Sequence, residues 1–222
     1  MDVGVASAGK TAPAHDFFTR ARARLNLAVP PALTDFTAEA VRADLDLDPA
    51  LWERAGVAAT KPAAVLIPVV DRAEPTVLLT QRTAELPNHP GQIAFPGGRI
   101  DAGDANPLAA ALREAEEEIG LAPRLVEPFG YLDLFLTFSG FRILPTVARV
   151  APDYALALNA GEVTEAFEVP LAFLMHPGNH QRLIRDWKGI ERPYYAMSYQ
   201  QRYIWGVTAG ILRNLYERIY SE

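Results

Sequence analysis

Glu114, Glu116, Glu117 and Glu118 crowd into the stretch Arg113-Glu114-Ala115-Glu116-Glu117-Glu118-Ile119-Gly120-Leu121, which reads as the end of a helix. A helix C-terminus is negative, so each acid there costs a few tenths to about 1 kcal/mol, and like charges at i,i+3 and i,i+4 add a similar penalty. Something positive is expected to compensate them. At about 100° per residue, with Glu114 at zero, Glu117 falls near about −60°, Glu118 near about +40° and Glu116 near about 200°. Three carboxylates therefore share one face while Glu116 points away. Leu108, Ala111, Leu112, Ala115 and Ile119 form an apolar stripe beside them, so the helix can pack while presenting oxygen ligands. Such a face suits a hard divalent cation, Mg²⁺ or Mn²⁺, that keeps water and substrate phosphate oxygens as its other ligands. A solvated acidic face is the plainer reading of a bare Glu-rich helix, and the preceding residues tip the balance.

Upstream runs Phe95-Pro96-Gly97-Gly98-Arg99-Ile100-Asp101-Ala102-Gly103-Asp104-Ala105-Asn106-Pro107. This is a glycine-rich loop ending in a helix start, with Asn106 as N-cap and Pro107 at the first helical position. Loop and helix together resemble the Nudix box. From Arg113 to Leu121 every fixed position of that pattern is present. The first half departs from it: Asp104 stands where the family has Glu, and eight residues rather than seven separate it from Arg113.

A second element resembles the one that precedes the box in coenzyme A diphosphatases. It comprises Leu78-Leu79-Thr80-Gln81-Arg82-Thr83, then Gly91, then Phe95 to Gly98. Thr83 replaces the usual Ser or Ala, and Pro87 stands where a second Arg belongs. A guanidinium is the natural fork for phosphate, so that loss bears on coenzyme A recognition and shifts attention to Arg82, His89 and Arg99. A surface ion pair is the competing role for Arg82.

The resemblance implies metal-dependent hydrolysis of a diphosphate bond, in coenzyme A or its derivatives, giving 4′-phosphopantetheine and adenosine 3′,5′-bisphosphate. The rival substrates are ADP-ribose, NADH or another nucleoside diphosphate derivative. A Nudix-fold binding module without hydrolysis would be expected to have lost acids from the helix, and all three aligned glutamates are present. Metal ligands are then Glu114, Glu117 and Glu118. Arg113, roughly 100° from Glu114, would hold a neighbouring carboxylate. Gly97 and Gly98 let backbone approach the site closely, and Arg82 and Arg99 would bind substrate. Glu114 is one candidate general base, and Glu162 in Asn159-Ala160-Gly161-Glu162-Val163 is the other, because Nudix enzymes often supply an acid from a loop after the box.

The elements that must position these groups follow from periodicity. Helices are expected over 16–27, 35–47 and 50–55, as an N-terminal helical extension at 1–60 beside a Nudix domain at 61–222. Strands are expected at 63–70, 76–81, 125–137, 141–150 and 162–170, and a hairpin at 194–199 and 201–205. Helices are expected at 107–119 and 207–220. The fold class is α/β, and the family resemblance implies an α/β/α sandwich around a mixed sheet. Trp205 and Tyr203 would line a ligand pocket or serve core or homodimer packing.

Composition bounds the rest. The chain has 222 residues, is 50% hydrophobic and carries a formal charge of −6 with no clustered basic run, which argues against nucleic-acid binding. It has no cysteine, hence no disulfide and no thiolate chemistry. His176 and His180, separated by Pro-Gly-Asn, do not read as a zinc pair. The apolar run at 63–70 is too short to span a bilayer, Met1 to His15 lacks a signal-type apolar segment, and a cytoplasmic location is expected.

Overall fold

The computed structural model describes residues 16–37, 42–43, 60–187 and 190–221. A nine-stranded mixed sheet is built on β2 (Lys61–Val70) and β8 (Phe141–Val150), which run parallel in unbroken register from Lys61↔Phe141 to Val70↔Val150. Both strands are buried on two faces and read as nearly continuous apolar runs. β3 (Thr76–Arg82) joins β2 antiparallel and pairs along its length with β9 (Val163–Pro170), with an irregularity between Gln81 and Arg82. β4 (Ile93–Ala94) pairs with β3, and β5 (Gly97–Arg99) with the first half of β2. β6 (Val126–Tyr131) and β7 (Phe135–Leu136) pair with β8, and β1 (Arg42–Ala43) lies parallel to β7.

Pro68, in the middle of β2, is tolerated for a local reason. The Leu66 N–H points toward the β5 side, donating to Pro96 O at 2.9 Å, and residue 68 faces the same way. There β2 has left β5 at Val65 and meets β3 only at Val69, so the missing donor interrupts no ladder bond. The sheet is therefore parted at this point, beside the glycine-rich loop.

Alternation along the strands sends side chains to two cores. Ala64, Leu66, Val70, Leu78, Ala148 and Val150 meet Ala110, Ala111, Ala115 and Ile119 of α2 (Pro107–Ile119). Ile67, Val69, Val77, Leu79 and Val147 face the other way, onto α1 (Phe17–Arg24) and α4 (Val207–Tyr220). The result is the α/β/α sandwich. A short helix, α3 (Leu171–Leu174), follows β9. An antiparallel sheet of β10 (Gln181–Trp187), β11 (Ile190–Tyr199) and β12 (Arg202–Trp205) then leads into α4.

Several expectations need correction. The first helix ends at Arg24, three residues early, because Leu25 onward runs extended toward β6. The expected helix at 35–47 does not form at its described residues: 35 is irregular, 36–37 are turn and 42–43 are strand β1, while 38–41 and 44–47 lie outside the described residues. The candidate helix at 50–55 also lies outside them. The strand expected at 125–137 breaks into β6 and β7. The described part of the N-terminal segment packs into the domain core. Phe17 and Ala21 are fully buried in the core, the Tyr131 N–H donates to Asn26 O at 2.8 Å, and a Cβ on Gly130 would lie 2.4 Å from Asn26 N. Arg142 of β8, whose pKa burial lowers, donates to the carbonyls of Ala32, Asp35 and Phe36. No helix among the described residues is long and apolar enough to cross a membrane.

Candidate active site around the acidic helix

α2 begins as its sequence dictates. Asn106 Oδ1 accepts the Ala109 N–H at 2.9 Å and Pro107 takes the first helical position. It ends at Gly120, whose φ of 71° is left-handed and whose N–H bonds Glu116 O. Two further carbonyls of the last turn are capped by a later loop. Ala157 N–H donates to Ile119 O and Asn159 N–H to Glu118 O, each at 2.9 Å. These bonds dock the 157–162 loop on the acidic end of the helix and bring Glu162 near Glu114 and Glu118, whose pKa values are raised first by burial and only in small part by the Glu162 charge.

Each carboxylate has a distinct environment. Glu118 is 3% exposed; its Oε2 accepts the Gly97 N–H at 3.2 Å, and Arg82 Nη1 stands 4.0 Å from its Oε1. Burial dominates and pushes its carboxyl up to about 7, against the pull of Gly97 and Arg82. Glu114 is half-buried, and its pKa is raised chiefly by burial, against the pull of Arg113. Glu117 is exposed and turned to Arg113, and Glu116 is exposed.

Arg113 organises this edge. Its Nε and Nη2 donate to the two oxygens of Asp104 at 3.0 and 3.1 Å, its Nη1 to Glu114 and Glu117 at 3.0 Å each, and its Nη2 also to Arg99 O at 3.2 Å. Asp104 therefore reaches the arginine with both oxygens despite being shorter than Glu, and it also accepts the Asp101 N–H at 2.8 Å. Its carboxyl is held below the usual range, mainly by Arg113.

The glycines are explained by clearance. A Cβ on Gly98 would sit 2.5 Å from the Glu114 carboxyl, and one on Gly97, whose φ is 150°, would sit 2.4 Å from Ala64 O. Arg82, at the end of β3, has a buried Nε with no hydrogen-bond partner. The Arg99 side chain is exposed. The structure thus brings Glu114, Glu118, Glu162, Arg82, Gly97 and Gly98 together, while Glu117 and Arg99 stand at the rim. Sequence reasoning missed Asn159, whose Nδ2 donates to Glu162 Oε1 at 3.0 Å and whose Oδ1 accepts the Gly161 N–H at 3.1 Å. Its signal was the Asn-x-Gly turn chemistry.

In their described positions Glu114, Glu117 and Glu118 do not converge as a metal cluster, and no group of three His, Cys, Asp or Glu among the described residues is arranged to hold one. The donor chemistry nevertheless suits a hard cation: burial raises the carboxyls of Glu118 and Glu114, and the cation beside Glu118, Arg82, stands off at 4.0 Å.

The NUDIX domain family model matches residues 60–187. Over 153 residues the chain is 44% identical to the protein described as "uncharacterized Nudix hydrolase NudL" of Escherichia coli K12, covering 69% of this chain and 80% of that one. The same figures hold for the NudL of Shigella boydii. Among solved structures it is similar to the Nudix hydrolase RenU of M. smegmatis, with 24% identity and a TM-score of 0.43 over 52% of this chain and 76% of that one. With 128 of its 222 residues inside the family match, this chain belongs to the Nudix family and is a hydrolase of diphosphate bonds in nucleoside diphosphate derivatives.

Proposed function

We propose that this Nudix hydrolase cleaves the diphosphate of coenzyme A or its derivatives in the cytoplasm, giving 4′-phosphopantetheine and adenosine 3′,5′-bisphosphate. The observation that carries the site assignment is the buried Glu118 carboxyl, raised to about 7, with Glu114 and Glu162 beside it and Arg82 at 4.0 Å. Glu114, Glu117 and Glu118 would hold Mg²⁺ or Mn²⁺, which offsets the charge on the diphosphate and favours ionisation of water. Arg82, whose side chain is partly exposed and whose Nη1 stands 4.0 Å from Glu118, meets an anionic phosphate oxygen. Gly97 and Gly98 keep the loop close enough for backbone to line the same space. Glu162, held by Asn159, takes the proton of the attacking water, and Glu114 is the alternative base. Arg113 orients Glu114 and does not touch substrate.

The coenzyme A reading draws support from the resemblance carried by Leu78 to Thr80, Arg82, Gly91 and Phe95 to Gly98, of which Arg82 stands 4.0 Å from Glu118 and the Gly97 N–H donates to it. A second reading, hydrolysis of ADP-ribose or NADH, is favoured by Pro87, exposed on the 83–92 loop where a phosphate-binding arginine is absent. Incubation with Mg²⁺ or Mn²⁺ and coenzyme A, acetyl-coenzyme A, ADP-ribose and NADH, with products resolved by chromatography, tests the choice. Coenzyme A substrates are expected to lead. A preference for ADP-ribose or NADH above about tenfold in kcat/KM contradicts the substrate assignment.

A further inference from the structure

β10 forms one edge of the small sheet, whose order is β10-β11-β12. Its pairing with β11 runs residue for residue from Gln181↔Ala196 to Trp187↔Ile190, and β10 has neither a register shift nor a proline to blunt the edge. We propose that this edge is a homodimer interface, on which a second copy of the chain adds its own β10 antiparallel about a two-fold axis at Ile184.

The backbone points the right way. The Gly206 N–H, just past β12, donates to Tyr195 O at 3.0 Å, so residue 195 of β11 turns its polar groups toward β12 and away from β10. Alternation gives Pro193 and Glu191 the same direction, and Pro193, with no N–H to offer, therefore costs β10 no bond. Arg182, Ile184 and Asp186 stand opposite Tyr195, Pro193 and Glu191, and are the non-hydrogen-bonded positions of that ladder. Their N–H and C=O groups face outward along the free edge.

The side chains are self-complementary. Arg182, Ile184 and Asp186 share one face by alternation and all three are exposed; Ile184, at 65%, is the most exposed large hydrophobic among the described residues. An antiparallel copy centred on Ile184 sets Ile184 against the partner's Ile184. Two places away on either side, Arg182 meets the partner's Asp186 and Asp186 meets the partner's Arg182. Apolar contact at the axis and opposite charges at both flanks result, and each such cross-strand match is stabilising. Because only residues of this parity bond outward, the neighbouring registers lie two residues away. They set Ile184 against Arg182 or Asp186 and lose both the apolar contact and the charge match. The two-fold contact also closes on itself, using up the free edge of both copies, where an open edge with an apolar centre would template further association.

Sedimentation equilibrium of the full chain tests this. The wild type is expected to dimerise with a Kd below about 100 µM. Arg182→Asp and Asp186→Arg each set like charges opposite one another at both flanks and should weaken dimerisation by about tenfold or more. An equimolar mixture of the two variants restores opposite charges at both flanks, and should recover wild-type association to within about threefold. Both positions are exposed, and circular dichroism checks that each variant folds. Ile184→Pro removes the outward N–H at the axis while leaving the β10–β11 bonds in place, and should be monomeric with a native spectrum. A wild type that stays monomeric at about 100 µM, a dimer that both single charge variants leave intact, or a mixture no tighter than either variant alone would overturn the interface. None of these readouts involves hydrolysis, so the interface and the diphosphatase reading fail separately.

Discussion

Two glutamates on the same framework sit in opposite electrostatic states. Glu168 on β9 accepts Arg72 Nε and Nη2 at 2.6 Å each, together with the hydroxyls of Thr76 and Tyr154, and these donors, Arg72 first, hold its carboxyl down to about 2. Glu118 on α2 is buried with one backbone N–H as its hydrogen-bond donor and an arginine at 4.0 Å, and its carboxyl rises to about 7. Glu118 is both the more buried of the two, with 4% of its side chain exposed against 22% for Glu168, and the poorer in donors. Glu168 is fully satisfied and ties β9 to the β2–β3 turn, whereas Glu118 is left short of positive charge in a place where the sheet parts and the backbone is glycine. Such a deficit is costly unless an additional cation fills it.

Substituting each site breaks the comparison in a distinct way. Glu118→Gln is expected to lower metal-dependent kcat by about a thousandfold or more, since it removes a charge the transition state needs. The same change should stabilise the metal-free protein at pH 8. A carboxyl raised from its unfolded value to about 7 binds its proton more tightly when folded, so it lends stability below the unfolded value and loses it as pH rises through about 7. Thermal unfolding with chelator present checks the sign, and the gain is at most on the order of 3 kcal/mol. A somewhat smaller loss of activity, about a hundredfold, is expected for Gly98→Ala, whose new Cβ collides with the Glu114 carboxyl while leaving every charge in place. Steady-state kinetics against a circular-dichroism control measures it. Smallest is Glu168→Gln, expected to cost about 1–2 kcal/mol at pH 7 with little change in kcat. The stability that Glu168 contributes is present above its unfolded pKa and disappears as pH falls through about 2, so the variant's acid-unfolding curve should be flatter between those values.

What was legible in the sequence followed the strength of local signals. α2 runs from Pro107 to Ile119 and α4 from Val207 to Tyr220, as periodicity and caps specify, and β8 spans Phe141 to Val150 as expected. β10 escaped notice because Gln181-Arg182-Leu183-Ile184-Arg185-Asp186-Trp187 lacks apolar alternation; it is a strand because β11 pairs with it residue for residue. Periodicity extends a helix through 35–37, but the carbonyls of Asp35 and Phe36 accept from Arg142, a long-range contact no local pattern reveals. In the site, the helical wheel places Glu114, Glu117 and Glu118 on one face. It did not show that Glu117 turns to Arg113 or that helix carbonyls recruit Glu162, because side-chain ion pairs and loop docking lie outside helical periodicity.

The most direct measurement is the carboxyl pKa of Glu118 by carbon NMR, with and without saturating Mg²⁺. A value near 7 that falls by at least two units when Mg²⁺ is added, with no comparable change at Glu168, is the predicted result. A Glu118 that titrates near 4.5 without metal, or that Mg²⁺ leaves unmoved, would contradict the account.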